Sequence, residues 1–196
     1  MRIETKIERR WVMRAAIVAL ALGLGATLGA TLGATLSEDT PDLSGLPKPT
    51  KEHEWLDKLA GEWTVNSKIT HGEETIEVQG TETARRLGGF WLIADSKGEL
   101  FGTELAAQLT IGFDPEKKKF VGTWIDSVSS YLWHYEGSLD SSGKILTLET
   151  EGPCPAQSVR PTTKFREVFE VKDADHKTFT SSYLADDGTW TKMITS

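Results

Sequence analysis

The chain has 196 residues, of which 26% are charged and 38% are apolar, and its formal net charge at pH 7 is −7. These values are ordinary for a globular protein, and the length suits one domain with an N-terminal extension. The acidic balance argues against binding to nucleic acid, because such binding depends on Lys and Arg side chains that neutralise phosphates. The sequence contains a single cysteine, Cys154, which excludes an intrachain disulfide and a cysteine-based zinc site.

The first 36 residues have the composition of an export signal or a membrane anchor. Five basic residues lie between Arg2 and Arg14, and the following segment, residues 15–36, carries no charge. As a hydrophobic helix this segment would reach about 33 Å, which is enough to cross a bilayer. Two alternatives stay open: a signal peptide cleaved after Ala34 or Ser37, or a retained anchor. Both predict an exported protein, either periplasmic or held on the outer side of the inner membrane.

A linker and a short helix follow the N-terminal segment. Residues 37–49 are rich in proline and turn formers, and they predict a linker to a domain that spans residues 50–196. The domain opens with a helix predicted over residues 51–60. Thr50 is suited to the N-cap of this helix, and Gly61 can adopt the left-handed conformation that ends one. We expect the helix to act as a lid on one end of a barrel.

From residue 62 onward the apolar residues recur with a period of two, which predicts β-strands. Ten strands separated by turn residues are predicted near 62–70, 74–86, 89–97, 103–113, 118–127, 130–139, 144–151, 162–172, 176–185 and 189–196. Short turns make neighbouring strands antiparallel, and no long amphipathic helix interrupts them. The sequence therefore predicts a mainly β fold: a ten-stranded antiparallel up-and-down β-barrel with a short N-terminal helical lid.

Alternation along each strand assigns one set of side chains to the barrel lumen. In the strand predicted at 130–139 we take the aromatic side chains, rather than Leu132 and His134, as the inward set. In the last strand we take Trp190 and Ile194 as inward. The residues predicted to line a ligand-binding lumen are Trp63, Trp124, Asp126, Trp133, Glu167, Tyr183 and Lys192.

Three of these residues, Asp126, Glu167 and Lys192, have carboxylate or ammonium side chains that are charged in water. A buried ionisable group is costly unless it is paired, so its place on an apolar face is informative. In an apolar cup such a group would orient the polar end of a small molecule. The alternative, that the barrel opens at this level and the groups reach water, stays open.

Motifs of known enzymes are not found in the sequence. It has no Gly-x-Ser-x-Gly, no phosphate-binding P-loop and no His-Glu-x-x-His. The four histidines do not have the spacing of metal ligands. The sequence therefore predicts neither a cofactor nor a metal site and names no catalytic residue.

The tripeptide Gly61-Glu62-Trp63 after a short helix is similar to the Gly-x-Trp signature of lipocalins and other calycins. A fuller set of residues resembles a large bacterial family of domains of unknown function, whose members look like lipocalin-like or nitrobindin-type barrels. That set is His53-Glu54-Trp55-Leu56, Leu59, Gly61, Trp63, Gly122-Thr123-Trp124-Ile125-Asp126-Ser127, Glu136-Gly137 and Lys192-Met193. The resemblance covers about residues 47–196 and implies a ten-stranded barrel with a helical lid, but no established activity. Nitrobindin-type barrels hold haem through a histidine on the closing strands, where this chain has none, so haem is not predicted.

These features predict an exported protein that binds a small apolar or amphipathic molecule in its lumen. One alternative is an enzyme that uses a single lumen carboxylate as a general base. Another is a structural or interaction module of the cell envelope that uses the outer face of the sheet. The predicted partner is a small hydrophobic or amphipathic molecule and not nucleic acid, and the protein would contact a membrane through residues 15–36 if that segment is retained.

Overall fold

A computed structural model of the chain describes residues 45–100, 102–154 and 160–196. Within it, Leu46–Ser196 form one compact unit. The predicted signal or anchor at residues 1–36, and most of the predicted linker at residues 37–49, lie outside the described residues. In the described part of the chain, no helix is both long and apolar enough to cross a membrane.

Ten antiparallel strands close into a barrel, in which each strand pairs with its neighbours in sequence and the first pairs with the last. They are β1 (Gly61–His71), β2 (Glu74–Leu87), β3 (Trp91–Leu100), β4 (Thr103–Asp114), β5 (Lys119–Asp126), β6 (Ser129–Leu139), β7 (Ile145–Pro153), β8 (Thr162–Val171), β9 (Lys177–Leu184) and β10 (Trp190–Thr195). The predicted closed barrel is confirmed, and each predicted strand boundary lies within three residues of the observed one. The agreement follows from the turn residues, which end the strands where the sequence indicated.

The lid is a short α-helix, α1 (Lys51–Trp55), continued by a 3₁₀ turn over Leu56–Leu59. The short helix predicted over residues 51–60 is confirmed, and its second half has 3₁₀ rather than α geometry. In a 3₁₀ turn, side chains three residues apart lie on the same side. The tighter turn therefore directs both Leu56 and Leu59 into the barrel, where they are 0% and 2% exposed.

Rings and polar groups of the barrel hold the lid in place. The His53 imidazole is buried edge-on between Phe90 and Phe113, with ring centroids 5.2 Å and 5.7 Å away. Its Nδ1 accepts a hydrogen bond from the backbone N–H of Thr50, at 3.0 Å. The Trp55 indole packs on the Phe120 ring, 5.8 Å between centroids. The lid thus closes the end of the barrel where β1 begins.

We expect Trp55→Phe to destabilise the protein by about 1–2 kcal/mol, because the buried indole N–H donates to the carbonyl of Gly143 at 2.7 Å and phenylalanine has no donor. Urea unfolding at constant slope measures the change. Trp91→Phe is the matched control, since Trp91 is 41% exposed on the outer wall. Equal losses in the two variants would show that the lid bond contributes nothing.

Two charged groups close the wall beside the lid. In the described chain, β10 pairs with β1 at Lys68 and Ile69 alone, so the first half of β1 has no partner on that side. The Lys177 side chain spans this place: its Nζ donates to Glu82 Oε1 at 2.6 Å and lies 4.2 Å from the ring centroid of Trp63. Burial lowers the pKa of Lys177, and the Glu82 carboxylate opposes that shift.

The lumen has a tightly packed half next to the lid, which we call the closed half, and an accessible half at the far rim, which we call the open half. Five inward-facing apolar side chains of the closed half are fully buried: Leu92, Ile111, Phe120, Leu146 and Leu148 are each 0–1% exposed. Those of the open half on the β1–β5 side are only half-buried; they include Val65, Ile69, Val78, Leu105 and Trp124. Solvent therefore reaches the lumen from the rim.

Strand β10 departs from regular alternation. Lys192 pairs with Ser182, but Ile194 pairs with Ser181, so β10 has one extra residue at this point, a β-bulge. Ile194 faces the lumen as expected. The prediction that Trp190 and Lys192 face inward is wrong, because the bulge reverses the facing of the residues before it. Both side chains are exposed, and Trp190 lies under the Arg166 guanidinium on the outer wall, 4.1 Å from its ring centroid.

Candidate functional site

The strands β5, β6, β8 and β9 stack their inward residues in two layers. The layer nearer the rim is aromatic and contains Trp124, Trp133, Phe165 and Tyr183. Trp124 pairs with Trp133 across β5 and β6, and Phe165 pairs with Tyr183 across β8 and β9. The Trp133 and Phe165 rings meet edge-on with centroids 4.9 Å apart, which joins the two pairs.

The second layer lies two residues deeper on the same strands and is polar. It contains Tyr135 on β6, Glu167 on β8 and Ser181 on β9. Glu167 pairs with Ser181 on one side and with Leu148 on the other. Below this layer, the apolar residues of the closed half begin. The carboxyl of Glu167 is therefore enclosed between aromatic rings and an apolar core.

Only one of the two carboxyl oxygens of Glu167 has a hydrogen-bond partner among the described residues. The Ser181 hydroxyl donates to Oε1 at 3.0 Å, while Oε2 is buried and has no partner among the described residues. The residue is 7% exposed. Burial raises the pKa of Glu167 to about 7, and the Ser181 hydrogen bond opposes the rise. An unpaired buried oxygen is costly, so its presence points to a group that would bind it.

Two other acidic groups face the same space. The Tyr135 hydroxyl has no hydrogen bond among the described residues, and burial, with the nearby Glu167 and Asp126 carboxylates, raises its pKa. Asp126 lies at the rim end of β5. Its Oδ2 accepts from Trp124 Nε1 at 3.0 Å and its Oδ1 from the Val128 backbone N–H at 3.0 Å. These bonds fix the Asp126 carboxylate and the Trp124 ring together.

The structure brings together five of the seven residues predicted to line the ligand site: Trp124, Asp126, Trp133, Glu167 and Tyr183. Trp63 faces inward but lies in the closed half beneath Lys177, and its indole N–H donates to the Leu59 carbonyl at 3.1 Å. Lys192 lies outside the barrel, for the reason given above.

Ser181 and Tyr135 were not predicted as site residues. Both could have been found. Tyr135 belongs to the predicted inward set of its strand, between Trp133 and Gly137. Ser181 alternates with Phe179 and Tyr183 and is the polar residue between them. His134, next to Tyr135, is exposed as expected.

No group of three His, Cys, Asp or Glu side chains in the described residues is placed to hold a metal ion. Two depressions on the protein surface lie outside the lumen. One lies against the outer wall beside Thr83, Asp95 and Lys97. The other lies between the lid and the turn after β6, beside Glu52 and Ser142.

A protein-family model matches residues 48–196, which contain the lid and all ten strands. The chain belongs to the DUF1579 family of proteins of unknown function. This confirms the resemblance to a family of uncharacterised domains that the sequence indicated. No curated protein matches this chain.

In the DUF1579 barrel, a carboxyl group with one unpaired oxygen, two hydroxyls and a second carboxylate thus lie on the lumen side of the sheet beside aromatic rings. Hydrogen-bond acceptors predominate among these polar groups. Such a set can bind a donor group of a small molecule, or accept a proton when Glu167 is ionised. Both uses require the molecule to pass the aromatic layer.

Proposed function

We propose that this DUF1579 protein binds a small apolar or amphipathic molecule in the open half of its lumen. The observation that carries the proposal is the buried Oε2 of Glu167, which has no partner among the described residues. Folded proteins rarely leave a buried polar atom unpaired, and the exceptions are often found at functional sites. A ligand that donates a hydrogen bond to Oε2 would remove the cost.

The lining of the open half supports an apolar body for the ligand. Trp124, Trp133 and Tyr183 face inward and remain half-buried, so part of their ring surface is open to a bound molecule. Aromatic rings bury a large area at a low cost in side-chain entropy, as binding sites require. Phe165, at 3% exposed, forms the wall behind them.

The proposal includes export from the cytoplasm. The uncharged stretch at residues 15–36, preceded by five basic residues, supports a signal peptide or a membrane anchor. An acidic, lipocalin-like barrel held outside the inner membrane would bind molecules of the cell envelope. Fractionation of cells that produce the full chain, followed by N-terminal sequencing, would distinguish cleavage from retention.

Substitution of two neighbouring alanines of β4 tests whether the ligand binds in the lumen. Ala107 faces inward, opposite Asp126 on β5, and Ala106 faces outward and is exposed. We expect Ala107→Trp to fill the open half and to weaken binding of the apolar fluorescent probe N-phenyl-1-naphthylamine by at least about tenfold. Ala106→Trp should leave binding unchanged. The full chain is purified without detergent, and probe emission is titrated.

A probe that binds both variants equally would place its site outside the lumen and contradict the proposal. Native mass spectrometry of the same wild-type protein gives an independent test. A small molecule that copurifies with wild type and is lost in Ala107→Trp would support it. Absence of both probe binding and copurified ligand would count against it.

A general base is the second candidate function, because burial raises the pKa of Glu167 to about 7, where a carboxylate accepts protons efficiently at neutral pH. In this case Glu167→Gln would abolish turnover of a substrate while leaving its binding intact. Loss of binding without any turnover in the wild type favours the binding protein instead.

An interaction surface is the third candidate. Four large apolar side chains are exposed around the hairpin between β5 and β6, at the rim: Ile125, Val128, Tyr131 and Leu132. A contiguous exposed apolar patch is typical of a binding surface. This candidate predicts that Val128→Asp changes the oligomeric state or an association with other molecules, and that binding of the fluorescent probe is unaffected.

A further inference from the structure

We infer that the ligand carries a hydrogen-bond donor at its polar end, and that the class that fits best is an aliphatic amine in its ammonium form. This inference rests on the proposed function and deepens it. The geometry that points to it is the position of Glu167, with Oε1 held by Ser181 and Oε2 unpaired, beneath a layer of aromatic rings.

The site is rich in hydrogen-bond acceptors. Oε2 of Glu167 can accept two hydrogen bonds and has none among the described residues. Asp126 adds a second carboxylate above it, whose two recorded bonds, from Trp124 and Val128, leave further lone pairs. An ammonium group has three donors and no acceptor, and its hydrogen bonds to a carboxylate are charge-assisted.

The positively charged side chains of the strands lie away from the site. Among the strand residues whose side chains are described, no Lys or Arg faces the open half of the lumen. Lys192 is exposed outside the barrel. Lys177 lies in the closed half and is paired with Glu82, while Arg86 donates to the carbonyls of His53 and Gly89 at the lid. Arg160, which precedes β8 at the rim, donates to the Asp186 carboxylate and the Leu184 carbonyl. A fatty acid that reached Glu167 would therefore bring its negative charge to a carboxylate without a cation from the strands to balance it.

The neighbours of Glu167 on the rim side are aromatic. The rings of Trp124, Trp133 and Tyr183 border the path from the rim to Glu167. Cations are attracted to the faces of such rings, more strongly where water is excluded. The same lining would receive the hydrocarbon body of the amine. A neutral alcohol would find the same acceptors but would lack the charge.

The pH dependence gives a consistent expectation. Tyr135 from β6 is the titratable group that interacts with Glu167, and Asp126 from β5 acts on the same Tyr135 hydroxyl, while β9 offers the Ser181 hydroxyl and β7 offers Leu148. Since burial raises the pKa of Glu167 to about 7, its carboxyl becomes charged as the pH rises through neutrality. An amine remains protonated there, so its affinity should increase from about pH 6 to about pH 8.

The test compares decylamine, decan-1-ol and decanoic acid as competitors of N-phenyl-1-naphthylamine on the full chain, each below its micelle concentration. At about pH 8 we expect the amine to bind about tenfold more tightly than the alcohol and about a hundredfold more tightly than the acid. Glu167→Gln should remove the preference for the amine over the alcohol. Glu104→Gln, an exposed carboxylate on the outer wall, is the matched control and should keep it.

The outcomes separate this inference from the proposed function. Equal binding of the three compounds, or a preference for the acid, would overturn the inference and leave lumen binding in place. An amine preference that persists in Glu167→Gln would also overturn it. Failure of the probe itself to bind would contradict the proposed function. If Glu167→Gln does not fold, the rise in amine affinity with pH in the wild type decides the question, and a flat profile would overturn the inference.

Discussion

The free energy of unfolding of the wild-type protein should decrease between about pH 5 and about pH 8 because of Glu167, and Glu167→Gln should remove that decrease. Burial raises the pKa of Glu167 from 4.5 to about 7. The folded protein therefore binds a proton that the unfolded chain releases, and the stability due to this proton is complete below the unfolded pKa and is lost as the pH rises through the folded one. The difference corresponds to about 3 kcal/mol.

Urea unfolding of both proteins at the two pH values measures this effect. The free energy of unfolding of wild type, relative to Glu167→Gln, should fall by about 3 kcal/mol between about pH 5 and about pH 8. Groups common to both proteins, the histidines included, cancel in this comparison. Glu104→Gln is again the control, and its free energy of unfolding should change with pH in the same way as that of the wild type.

Glutamine keeps an oxygen for the Ser181 hydroxyl and avoids burying a charge, so the variant should exceed the wild type in stability at the higher pH. The same relative stability at both pH values would mean that Glu167 reaches water in solution. The candidate site would then lose the buried, unpaired oxygen on which the proposed function rests.

Gly137→Ala should be among the most damaging single substitutions in the barrel. Gly137 faces inward on β6, between Phe120 of β5 and Leu148 of β7. A Cβ atom there would lie 1.9 Å from the Thr147 carbonyl oxygen and 2.7 Å from the Leu148 Cα. Both are backbone atoms of the neighbouring strand, so a change of side-chain rotamer cannot relieve the clash. We expect a loss of about 3 kcal/mol or more.

Gly98→Ala is the matched control, since Gly98 also faces inward from a strand. A Cβ atom at Gly98 would have its nearest neighbour, the Gln79 carbonyl oxygen, at 3.3 Å. We expect this change to cost less than about 1 kcal/mol. The midpoints of urea unfolding compare the two variants. Equal midpoints would show that β6 and β7 lie further apart than described.

Several features of the fold could be predicted because their causes are local in sequence. The turn formers Gly72, Gly88, Gly143 and Gly188 have positive φ angles and mark hairpins between strands. Period-two alternation then placed Trp124, Trp133, Glu167 and Tyr183 on the lumen side. The register of an antiparallel hairpin follows from its turn, so these assignments needed no long-range information.

Other features depend on contacts between distant parts of the chain. The bulge at Met193 reverses the facing of Trp190 and Lys192, and the residues on either side of it do not mark its position. The contacts of His53 with Phe90 and Phe113 join the lid to the turn between β2 and β3 and to β4, which lie 37 and 60 residues further along the chain. The position of Lys177 between Glu82 and Trp63 likewise requires the barrel to close.

The ten strands, the lid and the inward facing of Glu167 could be predicted from the amino-acid sequence, because hydrophobic alternation and turn residues act over a few positions. That Glu167 shares its layer with Tyr135 and Ser181, that its second oxygen is unpaired and that Lys192 is outside became evident in the folded barrel. Those facts depend on how strands far apart in the sequence stack their side chains when the sheet closes. Burial and pairing of a charge are set by that stacking, so the chemistry of the site appears only in three dimensions.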